Sequence, residues 1–253
     1  MHSEITVAIW YNNEGAKNTG AWDQKATSPA FHPAPDPTLT TMQTHEAGSL
    51  TVTKFDSLGP YGNNAYIVAD RDAGEAIIVD MPAGSRAVID AVGNLKISAI
   101  LLTHTHPDHW ADYDLVKQAT GAPVVCHAAE VIMPAAKIDR PLADAEEITV
   151  GKASLRAVYT PGHTPGSTCY LVGRILFSGD VLFPGGPGRT QTSADLRQSI
   201  ASITERLYSL PDQTLVLPGH GGDTTIGDSK REYAVFASRE HPPDLCGDVL
   251  WEG

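Results

Sequence analysis

Short apolar runs, many of them alternating with polar residues, dominate the chain from residue 48 onward and predict strands rather than long helices. The run at 97–102 is apolar almost throughout, which is typical of a strand buried on both faces of a sheet. A turn at 59–64 separates the first two runs and predicts a hairpin. The predicted strands are 50–55, 65–68, 76–79, 97–102, 124–126, 148–150, 155–159, 168–172, 175–177 and 215–217.

Apolar residues at helical spacing appear between these strands. The clearest case is 194–209, where Leu196, Ile200, Ile203 and Leu207 recur at positions i, i+4, i+7 and i+11. The order of strands and helices is β-rich and then mixed, twice over, which predicts two sheet layers with helices outside them. The predicted helices are 85–93, 112–119, 128–133, 194–209 and 228–237.

Residues 1–47 have a different character from the rest of the chain. An apolar alternation at 5–10 predicts one strand, and the stretch after it is rich in Asn, Gly, Ser, Thr and Pro, which excludes a regular helix or central strand. Several aromatic side chains there, including Trp10 and Trp22, need burial. We expect an N-terminal arm at 1–47, packed on its own core or across a homodimer boundary, and one domain at 48–253.

Composition narrows the class of function. The 253 residues include 18 Lys and Arg against 30 Asp and Glu, a formal charge of −12, which argues against a nucleic-acid partner. No apolar run approaches the ~18 residues of a membrane-spanning helix, so no membrane partner is expected. The three cysteines are widely spaced, without a CxxC pair, and the first residues lack a secretory signal. These features predict a protein of the reducing cytoplasm.

A cluster of metal-ligating side chains directly follows the apolar run at 97–102. It comprises His104, His106, Asp108 and His109, and imidazole and carboxylate groups are ligands for zinc and similar divalent ions. Pro107 prevents a helix from continuing through the cluster, so the segment is predicted to be a loop. A loop can direct all four side chains into one cavity.

Three more candidate ligands, His163, Asp180 and His220, each follow an apolar strand and have glycine or proline nearby. Ligands at strand ends can converge on one edge of a sandwich, where rigid elements hold them. Together with the first cluster, they predict a metal site built from distant parts of the chain.

Four motifs carry a resemblance to the metallo-β-lactamase-fold hydrolase superfamily: THTHPDH at 103–109, TPGHTPGS at 160–167, FSGD at 177–180 and PGHGGDTT at 218–225. The resemblance covers roughly residues 48–237 and implies an α/β, four-layer αββα sandwich, here with an N-terminal extension. It also implies two metal ions. The first would be held by His104, His106 and His163, the second by Asp108, His109 and His220, with Asp180 bridging them.

The resemblance further implies a reaction. Two divalent ions, zinc with iron or manganese as alternatives, would hold a bridging hydroxide that attacks a small-molecule substrate. Asp108 and Asp180 are the expected catalytic carboxylates. An anionic bridge at Asp180 also makes two neighbouring cations tolerable.

The residue at the bridging position indicates the branch of the superfamily. Lactamase branches have Cys or Ser there, whereas Asp180 resembles the glyoxalase II-like thioesterases, the lactonases and the arylsulfatase-like enzymes. The glyoxalase II-like group is the most similar, but Thr105 replaces its usual His, and residues 221–253 are too short for its C-terminal glutathione-binding domain. We therefore expect a hydrolase of a small ester, thioester or lactone. A mononuclear iron dioxygenase acting on persulfides, a β-lactam hydrolase and a phosphodiester hydrolase remain the alternatives.

Other residues near the motifs are candidates for substrate binding. Trp110 is either a pocket wall or part of the helix packing. Arg189 is expected to hold a substrate carboxylate or to form a structural ion pair. Tyr61 lies in the first hairpin turn, which flanks the site in this fold. His127 is expected to play a structural or supporting role.

Overall fold

The computed structural model describes residues 42–252. Most of the predicted arm, with its strand at 5–10, lies outside the described residues. The last part of that arm, Met42–Ala47, is strand β1, which pairs antiparallel with the following strand. The first sheet therefore begins six residues before the boundary predicted at 48.

The first sheet has seven strands in the order of the sequence. Its first four strands form antiparallel hairpins, and the pairings from the fourth strand to the seventh are parallel. Parallel pairing requires crossover connections, and helices supply two of them. The strands are β1 Met42–Ala47, β2 Leu50–Leu58, β3 Asn63–Asp70, β4 Glu75–Val79, β5 Lys96–Leu101, β6 Val124–His127 and β7 Arg140–Leu142.

The second sheet has six strands in the order β15-β14-β11-β10-β9-β8. Between β11 and β14 in the chain, β12 and β13 form a separate two-stranded hairpin. Strands β11 and β14 pair in parallel, so both point their carboxyl ends at the same edge. The bounds are β8 Glu147–Val150, β9 Ala153–Tyr159, β10 Thr168–Val172, β11 Ile175–Gly179, β12 Leu182–Phe183, β13 Gly186–Pro187, β14 Leu215–Pro218 and β15 Thr224–Thr225.

Three hydrophobic clusters define the layers. One lies between the two sheets and joins residues such as Leu101 and Phe177. A second packs the other face of the first sheet against α1 and α2, and the third packs the second sheet against α3 and α4. The helices are α1 Arg86–Val92, α2 Tyr113–Thr120, α3 Ser193–Ser202 and α4 Ile226–Ala237. The predicted α/β sandwich of four layers is thereby confirmed.

Local sequence explains where the helices begin and end. Thr192 and Asp195 form a capping box at the start of α3, and Thr225 accepts a hydrogen bond from Asp228 N at the start of α4. Gly121 ends α2 in the left-handed conformation, with φ of 64°. The helix predicted at 194–209 is α3 continued by one π-helical turn over Ile203–Leu207.

The helix predicted at 128–133 is absent from the structure. Ala129 N donates to His127 Nδ1, and Glu130 N donates to His127 O, which makes a tight turn instead. The buried Glu130 carboxylate accepts hydrogen bonds from other loops, and these contacts hold the segment out of helical geometry. None of the helices within 42–252 is long and apolar enough to cross a membrane.

Candidate metal centre

The seven predicted ligands meet at one end of the sandwich. Four of them follow β5 in the first sheet, and the other three follow β9, β11 and β14 in the second sheet. Their nitrogen and carboxylate oxygen atoms form three overlapping groups, within each of which the atoms lie no more than 4.8 Å apart. These groups are His104, His106 and His163; His104, His109 and Asp180; and Asp108, His109 and His220.

The first group consists of three imidazoles whose ring nitrogens face one another. His106 Nδ1 lies 3.1 Å from His104 Nε2 and 2.9 Å from His163 Nε2. Each ring nitrogen of a neutral imidazole carries either a proton or a lone pair. At least one of the three facing nitrogens must therefore carry a lone pair, because a hydrogen bond between two of them needs an acceptor. A cation among them would accept all three lone pairs.

Asp108, His109 and His220, which we call the second group from here on, combine two imidazoles with a carboxylate. His109 Nε2 lies 3.2 Å from His220 Nε2, and Asp108 Oδ2 lies 3.5 Å and 3.3 Å from these two nitrogens. Asn63 Nδ2 donates to the same oxygen at 2.8 Å and so fixes the carboxylate in this direction. The mixture of nitrogen and oxygen donors suits a divalent ion such as zinc.

Asp180 lies between the two groups. Its Oδ2 is 3.7 Å from His163 Nε2 in the first group and 3.5 Å from His220 Nε2 in the second. Its Oδ1 is buried without a hydrogen-bond partner among the described residues. A buried carboxylate oxygen left unsatisfied costs free energy, and a bound cation removes that cost. The donors therefore fit divalent metal ions.

A backbone or carboxylate acceptor on the far side orients three of the imidazoles. The Nδ1 of His109 bonds to Asp80 Oδ2 at 2.9 Å, that of His163 to Arg189 O at 2.8 Å, and that of His220 to Tyr61 O at 3.1 Å. Each acceptor accepts a hydrogen bond from Nδ1–H, and this tautomer leaves the Nε2 lone pair free for a metal.

Glycine permits the close approach of the ligands. A Cβ on Gly219 would collide with Asp180 Oδ1 and would lie 2.6 Å from His109 Cε1. The loop around it is held by Lys54, whose buried Nζ donates to Gly221 O at 3.0 Å and contacts Asp223 Oδ1 at 2.5 Å. The segment after β14 is thus both compact and anchored.

Three polar residues that support the ligands were not assigned this role from the sequence. Asp80, with φ of 59°, accepts hydrogen bonds from Thr103 N and Oγ1 as well as from His109. Asn63 orients Asp108. The position of Asp80 at the end of an apolar strand was a usable signal, whereas Asn63 resembled ordinary turn chemistry.

Glu130 is the third missed residue, and it connects two ligand-bearing loops. Its buried carboxylate accepts hydrogen bonds from the hydroxyls of Thr105 and Thr164 and from Gly166 N at 3.1 Å. Thr105 lies between two ligands of the first group, and Thr164 directly follows the third. One carboxylate therefore sets the spacing of the whole first group.

The charges of the centre are strongly coupled. Burial and the neighbouring histidines lower the pKa of His104 well below its usual range. Burial would also lower the pKa of His109, but the carboxylates of Asp180 and Asp80 outweigh it and raise that pKa well above the usual value. Burial opposes ionisation of Asp180, yet His109 lowers the pKa of Asp180 to about 2. In the metal-free centre, protonated His109 and ionised Asp180 therefore form an ion pair.

The four remaining candidates lie around the centre in different roles. Trp110 is half-buried in the cluster under α1 and α2 and donates from Nε1 to Thr105 O at 3.0 Å, so it packs on the ligand loop. Arg189 Nη1 pairs with Asp248 Oδ2 at 2.8 Å, and both side chains are exposed. Tyr61 is exposed and contacts the centre through its carbonyl oxygen. His127 stacks on Tyr159 with ring centroids 4.0 Å apart.

A family model described as the Metallo-beta-lactamase superfamily matches residues 58–234. The chain belongs to this superfamily, which confirms the family predicted from the motifs. The probable metallo-hydrolase YqgX of Bacillus subtilis is 34% identical over 192 residues, covering 67% of this chain and 90% of that protein. A hydroxyacylglutathione hydrolase of Polaromonas sp. is 36% identical over 167 residues, covering 63% of this chain and 62% of that enzyme.

Solved structures show the same fold. The BLEG-1 B3 metallo-beta-lactamase matches with a TM-score of 0.63 and 32% identity, over 71% of this chain and 96% of that one. TTHA1623, solved in a di-iron-bound form, matches with a TM-score of 0.57 and 30% identity, over 69% of this chain and 95% of that one. Relatives named as hydrolases and the cluster of donors together identify the chain as a metal-dependent hydrolase of this superfamily.

Proposed function

We propose that this protein is a dinuclear metal-dependent hydrolase that cleaves a small ester, thioester or lactone. The observation that carries the proposal is the presence of two complete groups of donors with the Asp180 carboxylate between them. A single ion would use only one of these groups and would leave the donors of the other without a cation.

In this proposal, His104, His106 and His163 hold one ion, Asp108, His109 and His220 hold the other, and Asp180 contacts both. Zinc is the ion we propose, since imidazole and carboxylate donors suit it, and iron and manganese accept the same donors. The di-iron-bound form of TTHA1623 supports the capacity of this fold for two ions.

Bound ions would supply a Lewis acid for the substrate carbonyl and a water acidic enough to attack it near neutral pH. The side chains of the protein do the rest. Asp80 and the carbonyls of Tyr61 and Arg189 hold the imidazoles in one orientation. Asn63 holds the Asp108 carboxylate. The centre is therefore organised before substrate arrives, which lowers the reorganisation needed during reaction.

Asp108 and Asp180 are the residues to which we assign catalytic roles beyond ligation. Burial would raise the pKa of Asp108, but a hydrogen bond with His220 and the charge of His109 lower it. Both carboxylates are therefore ionised at neutral pH, and an ionised carboxylate beside an attacking water can accept its proton.

The donors also bear on the alternatives. Asp108, His109 and His220 form a complete second group, which favours two ions over the one-iron dioxygenase. Similarity to the BLEG-1 lactamase favours β-lactams as the second candidate substrate class. Phosphodiesters of nucleic acid are disfavoured by the charge of −12.

A panel of substrates on metal-defined protein tests the proposal. Protein loaded with zinc, iron or manganese and quantified by elemental analysis is assayed with a hydroxyacyl-glutathione thioester, an acyl-homoserine lactone, an aryl ester, a β-lactam and an aryl phosphate. We expect two ions per chain and turnover of the ester, thioester or lactone. One ion per fully active chain, or turnover of the β-lactam alone, would contradict the proposal.

A further inference from the structure

Two clefts open on the metal centre, and they differ in the side chains that line them. The first, of about 310 Å³, reaches His163, Asp180 and His220 and is mostly apolar; we call it the apolar cleft. The second, of about 380 Å³, reaches His106 and His163, and its surface is also mostly apolar; its lining includes Gln191, Asp195 and Gln198, and we call it the polar cleft after these side chains. The walls of the apolar cleft include Phe183, Pro184, Pro187, Val249 and Leu250.

The apolar cleft is a built feature of the fold. The segment 247–251 lies along the β12–β13 hairpin, where Trp251 N donates to Gly185 O at 2.7 Å and Gly247 N donates to Thr190 O at 3.0 Å. The Trp251 side chain is fully buried in the third hydrophobic cluster. These contacts hold the backbone of the 247–251 wall against the β12–β13 hairpin.

Two of the exposed large apolar side chains among the described residues line these clefts. Leu250 is 63% exposed in the apolar cleft, and Ile132 is exposed in the polar cleft. Tyr61 is exposed beside His220. An apolar side chain that lines a concave site beside a candidate metal centre can contact a bound ligand.

Cationic groups are scarce in both clefts. Arg189 is the one Lys or Arg among the described residues that line the apolar cleft, and its guanidinium is paired with Asp248. The described lining of the polar cleft has Gln191, Gln198 and Asp195, without Lys or Arg. The chain as a whole has a charge of −12, which repels anions at long range.

We propose that the centre acts on uncharged esters, thioesters or lactones whose aliphatic acyl chain lies in the apolar cleft against Leu250. The leaving group then lies toward the polar cleft, where Gln191 and Gln198 offer amide donors and acceptors. This inference rests on the proposed hydrolase function and narrows its substrate class. It excludes glutathione thioesters as substrates, because their carboxylates would meet no unpaired Lys or Arg among the described residues that line the two clefts.

A chain-length series tests the proposal. Zinc-loaded full-length protein is assayed with 4-nitrophenyl acetate, butyrate and hexanoate, and with the adipate monoester, in which a carboxylate replaces the terminal methyl group of the hexanoate chain. We expect kcat/KM to rise about twofold to fourfold per added methylene, mostly through KM. We also expect the adipate monoester to be at least tenfold poorer than the hexanoate. A flat series, or a preference for the adipate monoester, would overturn the proposal.

Two variants test whether Leu250 causes the dependence of kcat/KM on acyl chain length. Leu250→Asp should lower the ratio of hexanoate to acetate kcat/KM at least fivefold at unchanged zinc content. Met42→Asp is the matched control, because Met42 is 64% exposed and lines neither cleft. An equal loss of that ratio in both variants would overturn the role of Leu250.

Binding without turnover separates this inference from the hydrolase proposal. Calorimetric titration of butanamide, hexanamide and adipamate into zinc-loaded protein measures occupancy of the cleft directly. If no ester, thioester or lactone is turned over while hexanamide binds more tightly than butanamide and adipamate, the hydrolase proposal fails and the apolar cleft stands. Tighter binding of adipamate would overturn the assignment of an uncharged ligand.

Discussion

Asp180 is the side chain that joins the two donor groups, and its Oδ1 is buried without a hydrogen bond among the described residues. Asp180→Ala removes the anion that offsets two neighbouring cations. We expect the variant to lose at least one metal ion per chain and its rate to fall by several orders of magnitude. Elemental analysis and steady-state kinetics measure both effects. Asp90→Ala, at an exposed carboxylate, serves as the control, and full occupancy with near-normal turnover in Asp180→Ala would refute the bridging role.

Glu130 supports the centre without touching a ligand atom. Glu130→Gln keeps the shape of the side chain but replaces the charged carboxylate, which accepts hydrogen bonds from the hydroxyls of Thr105 and Thr164, with a neutral amide. We expect zinc affinity at the first group to fall roughly tenfold to a hundredfold, as is usual for outer partners of metal ligands. Competition with a chromophoric chelator measures the dissociation constants. Glu240→Gln, at an exposed site, should bind zinc as the parent protein does, and an unchanged affinity in Glu130→Gln would reject the positioning role.

His109 makes metal binding depend on pH. Its pKa is raised in the metal-free centre, so at neutral pH the imidazole carries a proton that a metal ion must displace. We expect at least one proton to be released per chain on zinc binding at pH 7, and affinity to weaken as pH falls. Calorimetry in buffers of different ionisation enthalpy counts the protons. Zinc uptake without proton release would contradict the assigned charge state.

The loop after β14 depends on Gly219 for reasons of space alone. A Cβ there would displace Asp180 or His109, so we expect Gly219→Ala to lose metal and activity while the sandwich stays folded. Gly222→Ala is a matched control three positions on, because a Cβ on Gly222 meets nothing within 4 Å. Elemental analysis and circular dichroism on both variants make the comparison. Equal metal content in the two would show that the loop can move aside.

Strands with long apolar runs could be predicted from the sequence, since burial on both faces leaves a clear pattern. The run at 97–102 became β5, Lys96–Leu101, and the run at 155–159 became β9, Ala153–Tyr159. The strands β12, Leu182–Phe183, and β15, Thr224–Thr225, were missed. Two residues carry no periodicity, and their pairing is set by partners distant in sequence or by a short turn.

Some residues of the metal centre could be predicted from the sequence and others could not. Its donors could be predicted because each is a metal-ligating residue type at the end of an apolar strand. Glu130 could not be predicted in the same way, since it lies in an apparent helical pattern and acts through Thr105 and Thr164, far from it in sequence. The ion-pair partner of Arg189 could not be predicted either. Asp248 is distant from Arg189 in sequence and reaches it because segment 247–251 packs along the β12–β13 hairpin.

Metal ions bound as proposed would stabilise the whole molecule, because they bind the folded state and not the unfolded chain. A free ion concentration a thousandfold above the dissociation constant adds ~4 kcal/mol of stability. For a domain of this size, we expect chelation to lower the melting temperature by roughly 10 °C. Differential scanning calorimetry with and without a chelator measures the change. Identical melting curves from protein whose metal loss has been verified would show that the centre contributes nothing to folding.

The two sheets come from two consecutive halves of the chain. Strands β1 to β7 end at Leu142, and β8 begins at Glu147, so each half contains one complete sheet. The donors are divided in the same way, with His104, His106, Asp108 and His109 in the first half and the rest in the second. A chain cut between 142 and 147 would therefore give two fragments that each hold part of the donor set, and metal ions bound as proposed would stabilise their reassembly.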